Sequence, residues 1–161
     1  MESLRQKHTF APVYDSHSTI LILGSFPSVK SREAEFFYQH PRNRFWKVIA
    51  EIVKCNSYNT INEQKSMLIN NRIALWDVIE SCEITGSSDS SIKNVVPANL
   101  SIILENANIE KIYANGDKAF KLYMKHTYKI TKREIIKLPS TSPANAAFSL
   151  EKLIKEWSII R

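Results

Sequence analysis

The run Ile20-Leu21-Ile22-Leu23, closed by Gly24, constrains the fold most. Four consecutive apolar side chains with no polar face describe a strand buried on both sides, as in a parallel sheet, and Gly24 supplies the tight turn that ends it. Similar punctuation recurs downstream. Residues 73–76 form a second apolar strand, 111–114 a third ended by Asn115-Gly116, and 133–138 a fourth ended by Pro139. Helical patterns separate them. Phe45, Ile49, Ile52 and Val53 share one face, Thr60-Ile61-Asn62-Glu63 has capping-box spacing, and helices are expected over 98–106 and 117–126. Leu150, Leu153, Ile154 and Trp157 line a final helix, while the serine-rich stretch 81–91 reads as a polar loop. Strand–helix alternation of this kind predicts an α/β fold with a parallel sheet and helices on both faces, in one domain spanning 1–161.

In such sheets ligands gather outside the carboxyl ends of the strands. Four loops are expected there: Gly24-Ser25-Phe26-Pro27-Ser28, the segment carrying Glu83 and Asp89, Asn115-Gly116, and the stretch from Ser140 to Asn145. The 161 residues carry 22 Lys and Arg against 16 Asp and Glu, a net charge of +6, which suits an anionic partner such as nucleic acid; the Lys-, Ile- and Asn-rich composition of an AT-rich genome is the competing source. Cys55 and Cys82 are too isolated for a zinc or iron–sulfur site, so neither metal nor cofactor is expected. No run of 18 apolar residues and no secretory h-region occurs, so the expectation is a cytoplasmic protein without membrane association.

The most chemically loaded stretch is His40-Pro41-Arg42-Asn43-Arg44-Phe45-Trp46. An amide between two guanidinium groups and aromatics offers what a base-excision pocket needs: a group that positions water, positive charge for phosphate, and flat walls for an extruded base. Asn43 is the candidate catalytic residue, its carboxamide accepting from a water while donating to substrate. An amide is no strong base, but bond breakage that runs ahead of water attack leaves an oxocarbenium-like sugar needing position and charge more than deprotonation. A helix cap is the competing use of Asn43, and the two can coexist.

For substrate binding the candidates are Gly24, Ser25, Phe26, Pro27 and Ser28, whose N–H groups and ring could hold a base, together with Phe37, Tyr38, His40 and Asn115. Of the triplet Phe36-Phe37-Tyr38, at least one ring must face outward. For DNA contact they are Arg42, Arg44, Ser140, Thr141, Ser142, Pro143 and Asn145. Each has a plain structural alternative: a strand-end turn for 24–28, a capping loop for 140–145, a solvated charge for each arginine.

Taken together, GSFPS at 24–28, FFYQHPRNRFW at 36–46, ALWDV at 74–78, SCEITGSSDSSI at 81–92, NG at 115–116 and LPSTSPANA at 138–146 resemble the hypoxanthine-DNA glycosylase branch of the uracil-DNA glycosylase superfamily. The resemblance implies a three-layer α/β/α sandwich around a four-stranded parallel sheet. It also implies a monofunctional, cofactor-free, monomeric enzyme of base-excision repair that removes deaminated bases from DNA, chiefly hypoxanthine, and leaves an abasic site. Where many superfamily members carry an Asp, Glu or Asn in the first motif, this chain has Ser25, Phe26 and Pro27, which moves the catalytic amide to Asn43. The STSPANA segment replaces the histidine-bearing motif of uracil-specialised relatives. A preference for uracil or xanthine on the same scaffold, a catalytically silent DNA-binding module and a hydrolase of free nucleosides are the alternatives.

Overall fold

The structure is a computed structural model describing residues 2–161. At its centre four parallel strands lie in the order β3-β2-β6-β7: β2 Ile20–Gly24, β3 Ile73–Asp77, β6 Lys111–Asn115 and β7 Ile136–Leu138. Leu21, Ile22 and Leu23 have no exposed surface, as expected of a strand covered on both faces. Ile22 faces one apolar layer, built from α2 (Phe45–Val53), α3 (Ile61–Asn70) and α7 (Leu150–Trp157). Leu21 and Leu23 face the other, formed by α4 (Ser101–Leu104), α5 (Asp117–Leu122) and a second sheet. The expected three-layer sandwich is therefore present.

Local sequence accounts for the helix starts. Thr60 and Glu63 close a reciprocal capping box at α3, and the Ser149 hydroxyl accepts from Lys152 N–H at α7. In α7 only part of the expected stripe is buried: Leu153 and Trp157 face the core, Ile154 packs at its edge, and Leu150 is exposed in the first turn.

Several expectations require correction. Residues 81–91 are not one polar loop. The chain runs from β3 into β4 (Ile79–Ile84), a short 3-10 turn at Asp89–Ser91, and β5 (Lys93–Pro97), and β4 also pairs antiparallel with β1 (Leu4–Lys7). Ile79, Cys82 and Ile84 point inward, with a register shift between Ile79 and Ser81 breaking the alternation that would have marked a strand. Helix 98–106 shrinks to α4. Helix 117–126 becomes α5, a π-helical turn at Tyr123–Thr127 and then α6 (Tyr128–Thr131). At the sheet edge only 136–138 of the expected 133–138 strand is paired, opposite Tyr113, Ala114 and Asn115.

Candidate active site

A crevice opens at the carboxyl ends of the parallel strands. The 24–28 loop follows β2, Asp77 ends β3, Asn115 ends β6 and residues 140–142 follow β7; Ser31, Phe37, Tyr38 and Asn43 supply one wall, and Ser87 and Asp89 close another. Register levels the floor, since Gly24 pairs with Asp77 across β2 and β3.

Three side chains from distant segments form a hydrogen-bonded relay. Asn115 Nδ2 donates to Thr141 Oγ1 at 3.0 Å, and the Thr141 hydroxyl donates to Asn43 Oδ1 at 2.8 Å. Asn43 Oδ1 also accepts from Phe45 N–H at 2.9 Å, and Asn115 Oδ1 accepts from Thr141 N–H at 3.0 Å. Because a main-chain N–H can only donate, both amide orientations are fixed. With both lone pairs of Asn43 Oδ1 engaged, its Nδ2 is the group left for the crevice. The amide therefore braces the start of α2 from one position before its N-cap, Arg44, rather than as the cap itself, and it leaves Nδ2, a donor, for the crevice.

The walls are fastened from behind. Arg44 donates to the carbonyls of Ser142, Asn145 and Phe148 and so staples the 140–148 segment to α2. Thr141 has no exposed surface. Phosphate contact, expected of both residues, is thus closed to Thr141 and competes with three carbonyls for Arg44. On the opposite wall Arg32 donates to Pro27 O and Gly86 O and lies over the Phe26 ring, while Val29 N–H donates to Ser87 Oγ and the Ser25 hydroxyl donates to Asp89 Oδ1 at 3.0 Å. The segments 25–32 and 86–89, expected to converge, are joined by three hydrogen bonds.

Beneath the crevice His8 Nε2 meets Asp77 Oδ2 at 2.8 Å, with the two side chains 3% and 4% exposed. The His8 ring sits among Phe10, Phe26, Phe37 and Trp76, and its Nδ1 has no hydrogen-bond partner among the described residues. Tyr38 stacks on Phe45 and holds a positive φ; its buried hydroxyl also has no partner among the described residues. Burial, then the Asp77 charge, pushes that phenol well above its ordinary range, against a weaker lowering influence from the nearby Asn115 amide, which is not placed for a well-formed hydrogen bond. A Cβ on Gly24 would lie 2.5 Å from Asp77 Oδ1 and 2.6 Å from the Tyr38 hydroxyl. Gly24→Ala is therefore expected to force both groups aside, destabilising the protein by about 1–3 kcal/mol through overpacking and lowering activity more than the fold loss explains. Paired melting and single-turnover measurements check this, and an unchanged rate would show that the floor tolerates the shift.

Of the residues singled out from sequence, Gly24, Ser25, Phe26, Pro27, Ser28, Phe37, Tyr38, Asn43, Asn115, Ser140, Thr141 and Ser142 line the crevice. His40 does not: its Nδ1 accepts from Arg42 N–H beside the site. Arg42 and Pro143 are exposed, and Asn145 faces an adjoining groove with Ser142. Phe36 and Phe37 are both buried, leaving Tyr38 as the least buried residue of the triplet. Sequence reasoning missed Asp77, Ser31, Ser87 and His8, and left Asp89 as a loop acid. The signal for Asp77 was its position at the end of an apolar strand, level with Gly24. Among the described residues no group of three or more His, Cys, Asp or Glu is placed to hold a metal ion, and no helix is long and apolar enough to cross a membrane.

Fold and crevice together define an open-sheet α/β protein whose strand ends bring fixed amides, carboxyl groups and aromatic rings to one crevice. The family model of the uracil DNA glycosylase superfamily matches residues 11–159, and the chain belongs to that superfamily. It is 34% identical over 158 residues to a hypoxanthine DNA glycosylase of Methanosarcina acetivorans, covering 96% of this chain and 97% of the relative. A hypoxanthine DNA glycosylase of Methanosarcina barkeri is 35% identical over 117 residues, 71% of this chain and 73% of the relative. The solution NMR structure of a candidate uracil DNA glycosylase from Methanosarcina acetivorans superposes with a TM-score of 0.80 at 33% identity, covering 98% of this chain and 96% of that one.

Proposed function

We propose that this protein is a monofunctional DNA glycosylase of base-excision repair that hydrolyses the N-glycosidic bond of deaminated bases, chiefly hypoxanthine, and leaves an abasic site. The observation that carries the reading is near full-length similarity to a hypoxanthine DNA glycosylase, joined to a crevice in which Asn43 is held by two hydrogen bonds. The extruded base stacks against Phe26 beside Tyr38, and the second hydrogen of Asn115 Nδ2, the first being held by Thr141, reads its edge. As the bond to the base lengthens, positive charge grows on the sugar. Asn43 Nδ2 then donates to the oxygen of a water and holds it in line with C1′, so that geometry replaces strong base catalysis. Arg42, Ser142, Pro143 and Asn145 lie on the outer side and meet the strand, aided by the net charge of +6. The chain acts as a single-domain monomer in the cytoplasm.

The test is alkali-revealed cleavage of labelled duplexes containing inosine, uracil or xanthine, with enzyme in excess. Breaks at inosine only after alkali are expected. Breaks without alkali would overturn the monofunctional assignment, and a stronger signal at uracil or xanthine would overturn the base preference. Salt-sensitive binding without base release would identify a silent DNA-binding module.

A further inference from the structure

Asp89 has no role in the water-positioning chemistry, yet it is built into the crevice. It opens the 3-10 turn Asp89–Ser91, lines both the crevice and the adjoining groove, and takes the Ser25 hydroxyl on Oδ1. The turn is held in place: Ser91 Oγ donates to Ser88 O and accepts from Thr85 N–H, while Ser87 and Gly86 are tied to the 27–32 segment. Ser25 engages Oδ1 as an acceptor, so a proton on this carboxyl belongs on Oδ2, which has no hydrogen bond among the described residues.

The crevice also holds Asp77, which makes it a poor place for a base that departs as an anion. Uracil has no ring nitrogen with a free lone pair and leaves with negative charge on its oxygens, beside the Asp77 carboxyl group. A deaminated purine keeps lone pairs on its ring nitrogens, and protonation there lets it leave neutral. Resting on the glycosylase reading above, we propose that Asp89 is the general acid of the reaction, donating its Oδ2 proton to a ring nitrogen of the departing purine. The C1′–N9 electron pair goes to the base as that proton arrives, the neutral purine leaves, and water adds to C1′. The proton the water sheds returns to the Asp89 carboxylate, so the cycle balances.

The surroundings support a carboxyl that keeps its proton. Although the residue as a whole is exposed, neighbouring atoms crowd the carboxyl, and this partial burial raises its pKa above the ordinary value; the Ser25 hydrogen bond and Lys118 lower it, and Asp77 raises it again. Other charged or titratable groups near this region are Cys82 beneath the turn, Arg32 at Gly86, Tyr38 across the crevice, and Asp117, Lys137 and Glu156 along the groove.

Single-turnover release of hypoxanthine from an inosine duplex, measured across pH for wild type, Asp89→Asn and Ser25→Ala, tests the proposal. Wild type should slow by about tenfold per pH unit above the carboxyl's titration, since the acid form is the active one. Asp89→Asn should lose about 10²- to 10³-fold on the acid side and lack that limb. Ser25→Ala should carry the limb to higher pH, because the removed hydrogen bond favours the carboxylate. A duplex carrying N7-methylated deoxyinosine, whose base already bears positive charge, should be cleaved by Asp89→Asn within a few-fold of wild type. An Asp89→Asn enzyme that keeps the wild-type pH profile, or loses equally on both substrates, overturns the role of Asp89 alone. A wild type that releases no hypoxanthine at any pH overturns the glycosylase reading beneath it.

Discussion

Asn43→Ala is expected to release hypoxanthine from duplex DNA about 10²- to 10³-fold more slowly than wild type in single turnover, the loss typical of deleting one preorganised transition-state donor. The substitution removes the Nδ2 donor from the crevice and also frees Phe45 N–H and the Thr141 hydroxyl, so a structural cost accompanies the chemical one. That cost should resemble the loss of a helix cap, about 1 kcal/mol, and is read separately by thermal melting. Rates taken well below the melting temperature with enzyme in excess isolate the chemical step. A variant that melts slightly early yet excises at the wild-type rate would reduce Asn43 to a brace for the start of α2.

Trp157→Ala should be the most destabilising single change considered, by about 3–5 kcal/mol. Trp157 has no exposed surface, meets the Phe45 ring edge to face at 5.9 Å, and donates from Nε1 to Pro139 O at 2.8 Å. Truncation opens a cavity under α2 and leaves the Pro139 carbonyl without its donor just before residues 140–142 enter the crevice. Urea denaturation measures the loss, and the melting temperature should fall by roughly 10 °C. Trp157→Phe, which refills much of the space but cannot donate, should sit between the two. A loss below about 1 kcal/mol for the alanine variant would mean that the layer collapses around the gap.

The framework was legible because its strands are short, apolar and punctuated. Ile20 to Gly24 announces a buried strand, and the loops after four such strands had to meet at one sheet edge, where twelve singled-out residues now line the crevice. The second sheet was not legible, since the outward Ser and Glu of β4 look like loop and the β1 residues paired with it lie 74 to 80 positions away. Nor could sequence reveal what Arg44 and Thr141 do. Arg44 reads as a phosphate ligand until the carbonyls of Ser142, Asn145 and Phe148, about a hundred positions on, are seen around it. Asp77 and His8 are likewise ordinary polar residues in sequence, and only the fold buries them together.

The relay through Thr141 has an evolutionary corollary. Its hydrogen bonds run in one direction, from Asn115 through the Thr141 hydroxyl to Asn43. A single hydroxyl proton can serve one acceptor at a time. Asn115→Asp, the simplest way to invert what that position offers a base, replaces the donor facing Thr141 with an acceptor and draws the hydroxyl proton away from Asn43. If Asn115 reads the base and Asn43 holds the water, as proposed, a substitution that shifts base preference at one end of the relay also weakens the amide at the other, so the two positions are expected to change together.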